Sequence, residues 1–199
     1  MTGRQSPRHA FSLQWWLVFL LCLFPLWRWL WLTASGQLGA NPPEFLVRSS
    51  GIWALLALAA VLAVSPWRRW TGMAAVLRYR RMLGLFSFFY ASLHVLAWAF
   101  WEWGLSLTLM WQDTLQRTFI LLGVLAYVPL IWMAVTSTRG WRLRLGVWWQ
   151  RLHYAVYPVA ALSIWHFWLV RSGKTDYGDV WWAIGVAVLL CLVRLGRRR

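Results

Sequence analysis

Six long apolar segments, separated by charged and turn-forming stretches, dominate the 199-residue chain. They run at about 12–33, 47–65, 82–103, 117–137, 152–170 and 180–196, each near the ~20 residues that a bilayer core demands of a helix. In lipid the backbone must satisfy its own hydrogen bonds, and a helix does this within a single segment. The pattern predicts an all-α membrane protein, a six-transmembrane-helix bundle forming one domain over residues 1–199. The connections "ASGQLGANPPE", "SPWRRWTG", "WGLSLTLMWQD", "TSTRGWRLRLG" and "RSGKTDYGD" carry the turn and breaker signals. Basic residues precede the first apolar run, as in a signal peptide. That run is long enough to span, however, and no small-residue cleavage site follows, so it is expected to remain as a helix.

Charge fixes the expected orientation. The arginines of the N-terminal tail, of the stretches around 68–81 and 139–151, and of the C-terminus fall on one side of a six-span arrangement. All five acids, Glu44, Glu102, Asp113, Asp176 and Asp179, fall on the other. Basic loops stay in the cytoplasm, so both termini are expected to be cytoplasmic. Dropping any one span would scramble this sorting. The net charge of +15 is divided among short clusters between apolar runs, with no RNA-binding pattern and no zinc-finger spacing. It argues for membrane lipid and against nucleic acid as a partner. Cys22 and Cys191 both lie inside apolar runs, which argues against a disulfide framework or a thiolate metal site.

Three histidines fall in or at the ends of these segments. His94 lies 13 residues past Arg81, and His166 lies 15 past Arg151. At 1.5 Å rise per residue these are depths of about 20 and 22 Å from the inner surface. Two imidazoles on parallel-running helices thus reach one level. His153 sits about 20 Å below His166, at the inner end of the same segment. An ideal helix sets His153 and His166 about 140° apart, so both face the bundle only if the helix is disturbed between them. Pro158 is the candidate for that disturbance.

A lone membrane histidine often does no more than bond across helices, an interaction worth under ~1 kcal/mol. Two at matched depth, with no acid at mid-membrane to complete a proton relay, point elsewhere. Zinc hydrolysis would need three ligands and an activating carboxylate, and no HExxH is present. The remaining cofactor that takes two imidazoles in an apolar, aromatic slot is b-type haem. His9 lies in the N-terminal tail and is expected to be solvated. The tryptophans near segment ends, such as Trp67, Trp70, Trp101 and Trp103, read as interface belts.

The stretches "RRMLGLFSFFYASLHV", "TSTRGWRLRLGVWWQRLHYAVYPVAA" and "IWHFW", in that order and spacing, resemble the MsrQ (formerly YedZ) family. "SSGIWALLALAAVLAVSPWRR" fits it too. These are the haem-binding membrane subunits of the bacterial MsrPQ methionine sulfoxide reductase system, within a wider group of ferric-reductase-like transmembrane proteins. The resemblance implies His94 and His166 as axial haem ligands, with His153 as the third family histidine. His153 is then expected to serve a second haem with an unidentified partner, or a flavin or quinone. It also implies one haem b or two, an FMN whose site no residue identifies, and location in the bacterial inner membrane. Electrons would pass from the quinone pool or a cytosolic flavin reductase to a periplasmic molybdopterin reductase, MsrP. The charge pattern separately suggests its docking face: Glu102 and Asp113 follow the third segment, and Asp176 and Asp179 the fifth. The chain itself is then expected to be an electron-transfer subunit and not the catalytic one.

Two features depart from the wider group. The third segment has a single histidine, with no imidazole near Met82 or Leu83 to pair with His153. No GxGxxG is present, so the chain is not expected to take hydride from NAD(P)H itself. Three alternatives stay open at this stage: a b561-like electron carrier with another acceptor, a transporter or channel, and a scaffold whose histidines merely hydrogen-bond. The transporter is disfavoured by the lack of mid-membrane acids and of a broken helix pair.

Overall fold

A computed structural model describes residues 13–172 and 178–195, without the side chains of 179 and 189–195. His9, the segment containing Asp176, the Asp179 and Cys191 side chains, and the C-terminal arginines lie outside the described residues. Throughout the described residues the secondary structure is helical. The chain divides into two units, one through Gly39 and one from Ala40 onward. The described part of the first unit is α1, Leu13–Ala34.

The second unit begins with α2, Pro42–Thr71. Its start is written in "NPPE". Asn41 caps the helix by accepting the Glu44 amide at 3.3 Å, and the prolines fill first-turn positions that have no intrahelical acceptor for an N–H. Gly72 ends it at φ +72°, donating to the Arg68 carbonyl, a left-handed closure that suits glycine. A short 3-10 helix, Ala74–Tyr79, leads into α3, Arg80–Trp103. Then follow α4, Leu107–Gln116, and α5, Thr118–Val135. The short α6, Arg139–Leu145, and α7, Val147–His153, precede α8, Val156–Arg171, and α9, Gly178–Leu195.

Among the described residues four stretches are long and apolar enough to cross a membrane: Leu13–Ala34, Pro42–Thr71, Ala74–Trp103 and Thr118–Val135. These overlap the first four expected segments, the second and third running several residues longer than expected. The fifth and sixth expected segments are represented by α8 and α9. The stretch "WGLSLTLMWQD", expected as a connection, forms α4. Its Leu107, Met110, Trp111 and Thr114 recur at helical spacing, and Leu107 and Trp111 are exposed. Ten residues are too few to span, and an apolar helix of this length suits the membrane surface.

The most extensive helix contacts are α2 with α3 and α5 with α8. They meet around Leu58 of α2, Ala126 and Leu130 of α5, and Val156 and Val159 of α8, with Phe88 and Ala91 of α3 packed against them. Lipid gives no hydrophobic drive for helices to associate, so close packing and interhelical hydrogen bonds must hold such contacts. Small residues allow the approach: the Ser87 hydroxyl donates to the Ala54 carbonyl at 3.1 Å. Between α3 and α5, Tyr127 donates to the Ser92 hydroxyl at 2.9 Å and stacks on Phe88.

The helix carrying His153 and His166 is disturbed between them, as the phase mismatch requires. The break is the turn at Tyr154–Ala155, between α7 and α8. Tyr154 and Ala155 keep right-handed helical dihedrals, but Pro158 has no N–H to offer the Tyr154 carbonyl, which accepts the Tyr157 amide at 3.2 Å instead.

The paired histidines as a candidate metal centre

His94 of α3 and His166 of α8 come together, with ring centroids 6.0 Å apart and planes at 80°. Each ring is tied to the helix that pairs with its own. His94 Nδ1 lies 2.8 Å from the Val47 carbonyl of α2, and His166 Nδ1 lies 2.6 Å from the Phe119 carbonyl of α5. A carbonyl can only accept, so each Nδ1 carries the proton and each Nε2 presents a lone pair. Both imidazoles are thereby set in the tautomer that binds metal through Nε2, with the second nitrogen engaged as metal-ligating histidines usually have it.

The spacing is informative. One ion bonded to both Nε2 atoms at the ~2.0 Å usual for a metal–imidazole bond would hold the centroids roughly 6 Å apart. Among the described residues no group of three or more His, Cys, Asp or Glu could enclose a metal ion. Among the described residues the protein thus offers two nitrogen ligands here, and the other coordination positions would come with the metal. A haem iron, which brings four equatorial nitrogens, fits that donor set.

His153 is not brought to this pair. It ends α7, stacked on Trp149 with centroids 3.9 Å apart, and its Nδ1 lies 2.9 Å from the Trp149 carbonyl. Trp149 in turn donates its indole N–H to the Thr136 carbonyl. The Arg80 charge and the Met133 carbonyl both act on the His153 ring. The start of α3 and the α6–α7 segment therefore share one end of the second unit, and their arginines gather there.

At the opposite end, Asp113 of α4 is buried. It accepts the Trp103 indole N–H at 2.9 Å and pairs with Arg117 at 2.8 Å. Expected as a docking charge, it instead fastens α4 to the adjacent ends of α3 and α5. The sequence carried no sign of the Val47 and Phe119 carbonyls, because backbone acceptors leave no trace in residue type.

Residues 50–164 match the family described as ferric reductase like transmembrane component. That stretch includes His94 and His153 and stops two residues short of His166. A Bordetella pertussis protein named "protein-methionine-sulfoxide reductase heme-binding subunit MsrQ" is 50% identical over 170 residues, covering 82% of each chain. The Ralstonia nicotianae protein of that name is 46% identical over 179 residues, 89% of this chain and 82% of its own. The one from Caulobacter vibrioides is 41% identical over 188 residues, 92% and 87% of the two chains. With its paired histidines on α3 and α8 and this likeness along most of its length, the chain belongs to the MsrQ family of ferric-reductase-like transmembrane proteins.

Proposed function

We propose that the chain is a six-span b-type cytochrome of the bacterial inner membrane, with both termini cytoplasmic and His94 and His166 as axial ligands of one haem. The observation that carries this reading is the imidazole pair at 6.0 Å, each ring held by a carbonyl in the Nε2-ligating tautomer. When bound, haem supplies a one-electron carrier between two imidazoles. The residues around it position the ligands and keep water away, since α2, α3, α5 and α8 pack closely beside the pair.

In this reading the chain accepts electrons at its arginine-rich end, from the quinone pool or a cytosolic flavin reductase. It delivers them at the other end to a periplasmic molybdopterin enzyme, MsrP, that reduces methionine sulfoxide in proteins. The names of the relatives support a place in a methionine sulfoxide reductase system. His153 serves the entry side, where a second haem, FMN or quinone would sit; its stacking on Trp149 near Arg80 supports that position.

The test is spectroscopic. Purified protein should give a reduced-minus-oxidised spectrum with the sharp bands of a low-spin b haem. His153→Ala should retain those bands while slowing reduction by the inner donor. Purified, folded protein with no haem band would end the reading, and His153→Ala with unaltered reduction kinetics would remove that residue from electron entry.

A further inference from the structure

The two ligand positions are built alike. In each, a histidine bonds to a carbonyl 47 residues earlier in the chain, although one pair of helices is joined by a 3-10 turn and the other by α6 and α7. One turn beyond each carbonyl residue stands a glycine whose hydrogen faces the imidazole. A Cβ placed on Gly51 would lie 3.1 Å from both Cε1 and Nδ1 of His94, and one on Gly123 would lie 3.2 Å from the same atoms of His166. Both distances fall inside ordinary carbon contact, which is about 3.5–4.0 Å. A mid-helix glycine costs about 0.5–1 kcal/mol relative to alanine, so its presence at both places calls for a reason. Other helical glycines meet nothing comparable: a Cβ on Gly84 would touch only Val61 at 3.9 Å, and one on Gly185 would touch nothing within 4 Å.

We propose that Gly51 and Gly123 are a matched pair of positioning residues, each letting an imidazole lie flat against the neighbouring helix so that its Nδ1–H reaches the carbonyl and its Nε2 faces the iron. The inference rests on the reading of His94 and His166 as haem ligands. An added methyl group pushes the ring off the helix, lengthens the Nδ1–H bond to the carbonyl and turns the ring about its own axis. Because that bond sets ligand basicity and ring orientation, the change is felt at the metal. Equal construction on both sides predicts an equal response on both sides.

The experiment compares Gly51→Ala, Gly123→Ala and Gly84→Ala in the full chain loaded with haem. Haem retention, midpoint potential and the low-spin electron paramagnetic resonance signal are the readouts. Gly51→Ala and Gly123→Ala should each shift the potential and the signal and weaken haem retention by about 10- to 100-fold, the range for loss of support to a metal ligand. Gly84→Ala should match the parent protein. If the first two also match Gly84→Ala, or only one of them responds, the proposal is overturned. Should the alanine variants lose haem altogether, a double-mutant cycle of thermal stability decides. Gly51→Ala should destabilise the parent but not His94→Ala, where no ring remains to be displaced and alanine is the better helix former. Equal destabilisation in both backgrounds would show a glycine needed only for helix packing and would overturn the proposal. Retention of full haem by both His94→Ala and His166→Ala would instead mean that the haem-ligand reading itself had failed.

Discussion

At the residue scale, the meeting of His94 and His166 was legible in the sequence, and the groups that hold their rings were not. His94 and His166 announce themselves as imidazoles at one depth in apolar surroundings. Their carbonyl and glycine partners lie on other helices and differ in no chemical way from many others among the 14 glycines of the chain. Asp113 was misread for a related reason: its position beyond α3 suggested an exposed acid, and only the packing of α4 shows it buried between Trp103 and Arg117. Asp113→Ala leaves the Trp103 N–H without its acceptor, at a cost of about 1–3 kcal/mol. Asp113→Asn keeps an acceptor oxygen and should lose less. Thermal unfolding in detergent should rank them in that order, and equal losses would show that the indole bond contributes nothing. Trp98, one turn past His94 on α3, has a buried indole N–H with no acceptor among the described residues. Trp98→Phe should therefore leave the melting temperature unchanged or raise it. A clear drop would show that the indole makes contacts that a phenyl ring does not replace.

At the element scale, hydropathy placed α1, α3 and α5 within two residues at each end, since twenty apolar residues in lipid have few other options. Helix α2 runs five residues earlier and six later than its expected segment. Hydropathy failed for α4. Helix α4 is too short to register as a span, and a connection of that length reads equally well as a loop. The phase mismatch between His153 and His166 required a disturbed helix, and one exists. It lies at Tyr154–Ala155, one turn before Pro158, where the proline withholds an N–H from the Tyr154 carbonyl. Pro158→Ala supplies that N–H, should let the helix run on through the turn, and should slow reduction by the inner donor through the displaced His153. Unchanged reduction kinetics would remove the proline from that role.

At the scale of the whole molecule, the start of α3 and α7 meet at His153, where Arg80 acts on the ring, while α4 with its Asp113–Arg117 pair lies beyond the far ends of α3 and α5. The proposed orientation puts α4 in the periplasm and α6 in the cytoplasm. With Cys22 and Cys191 replaced, a cysteine at the exposed position of Leu107 should react with a membrane-impermeant maleimide on intact cells. One at the exposed position of Leu143 should react only after lysis. The reverse pattern would invert the direction of electron flow.

The most direct measurement is the haem spectrum of single histidine variants. His94→Ala and His166→Ala should each abolish the low-spin bands, because either one removes half of the axial ligation that the protein supplies. His153→Ala, treated identically, should keep them. Full low-spin haem in both His94→Ala and His166→Ala would contradict the account at its centre.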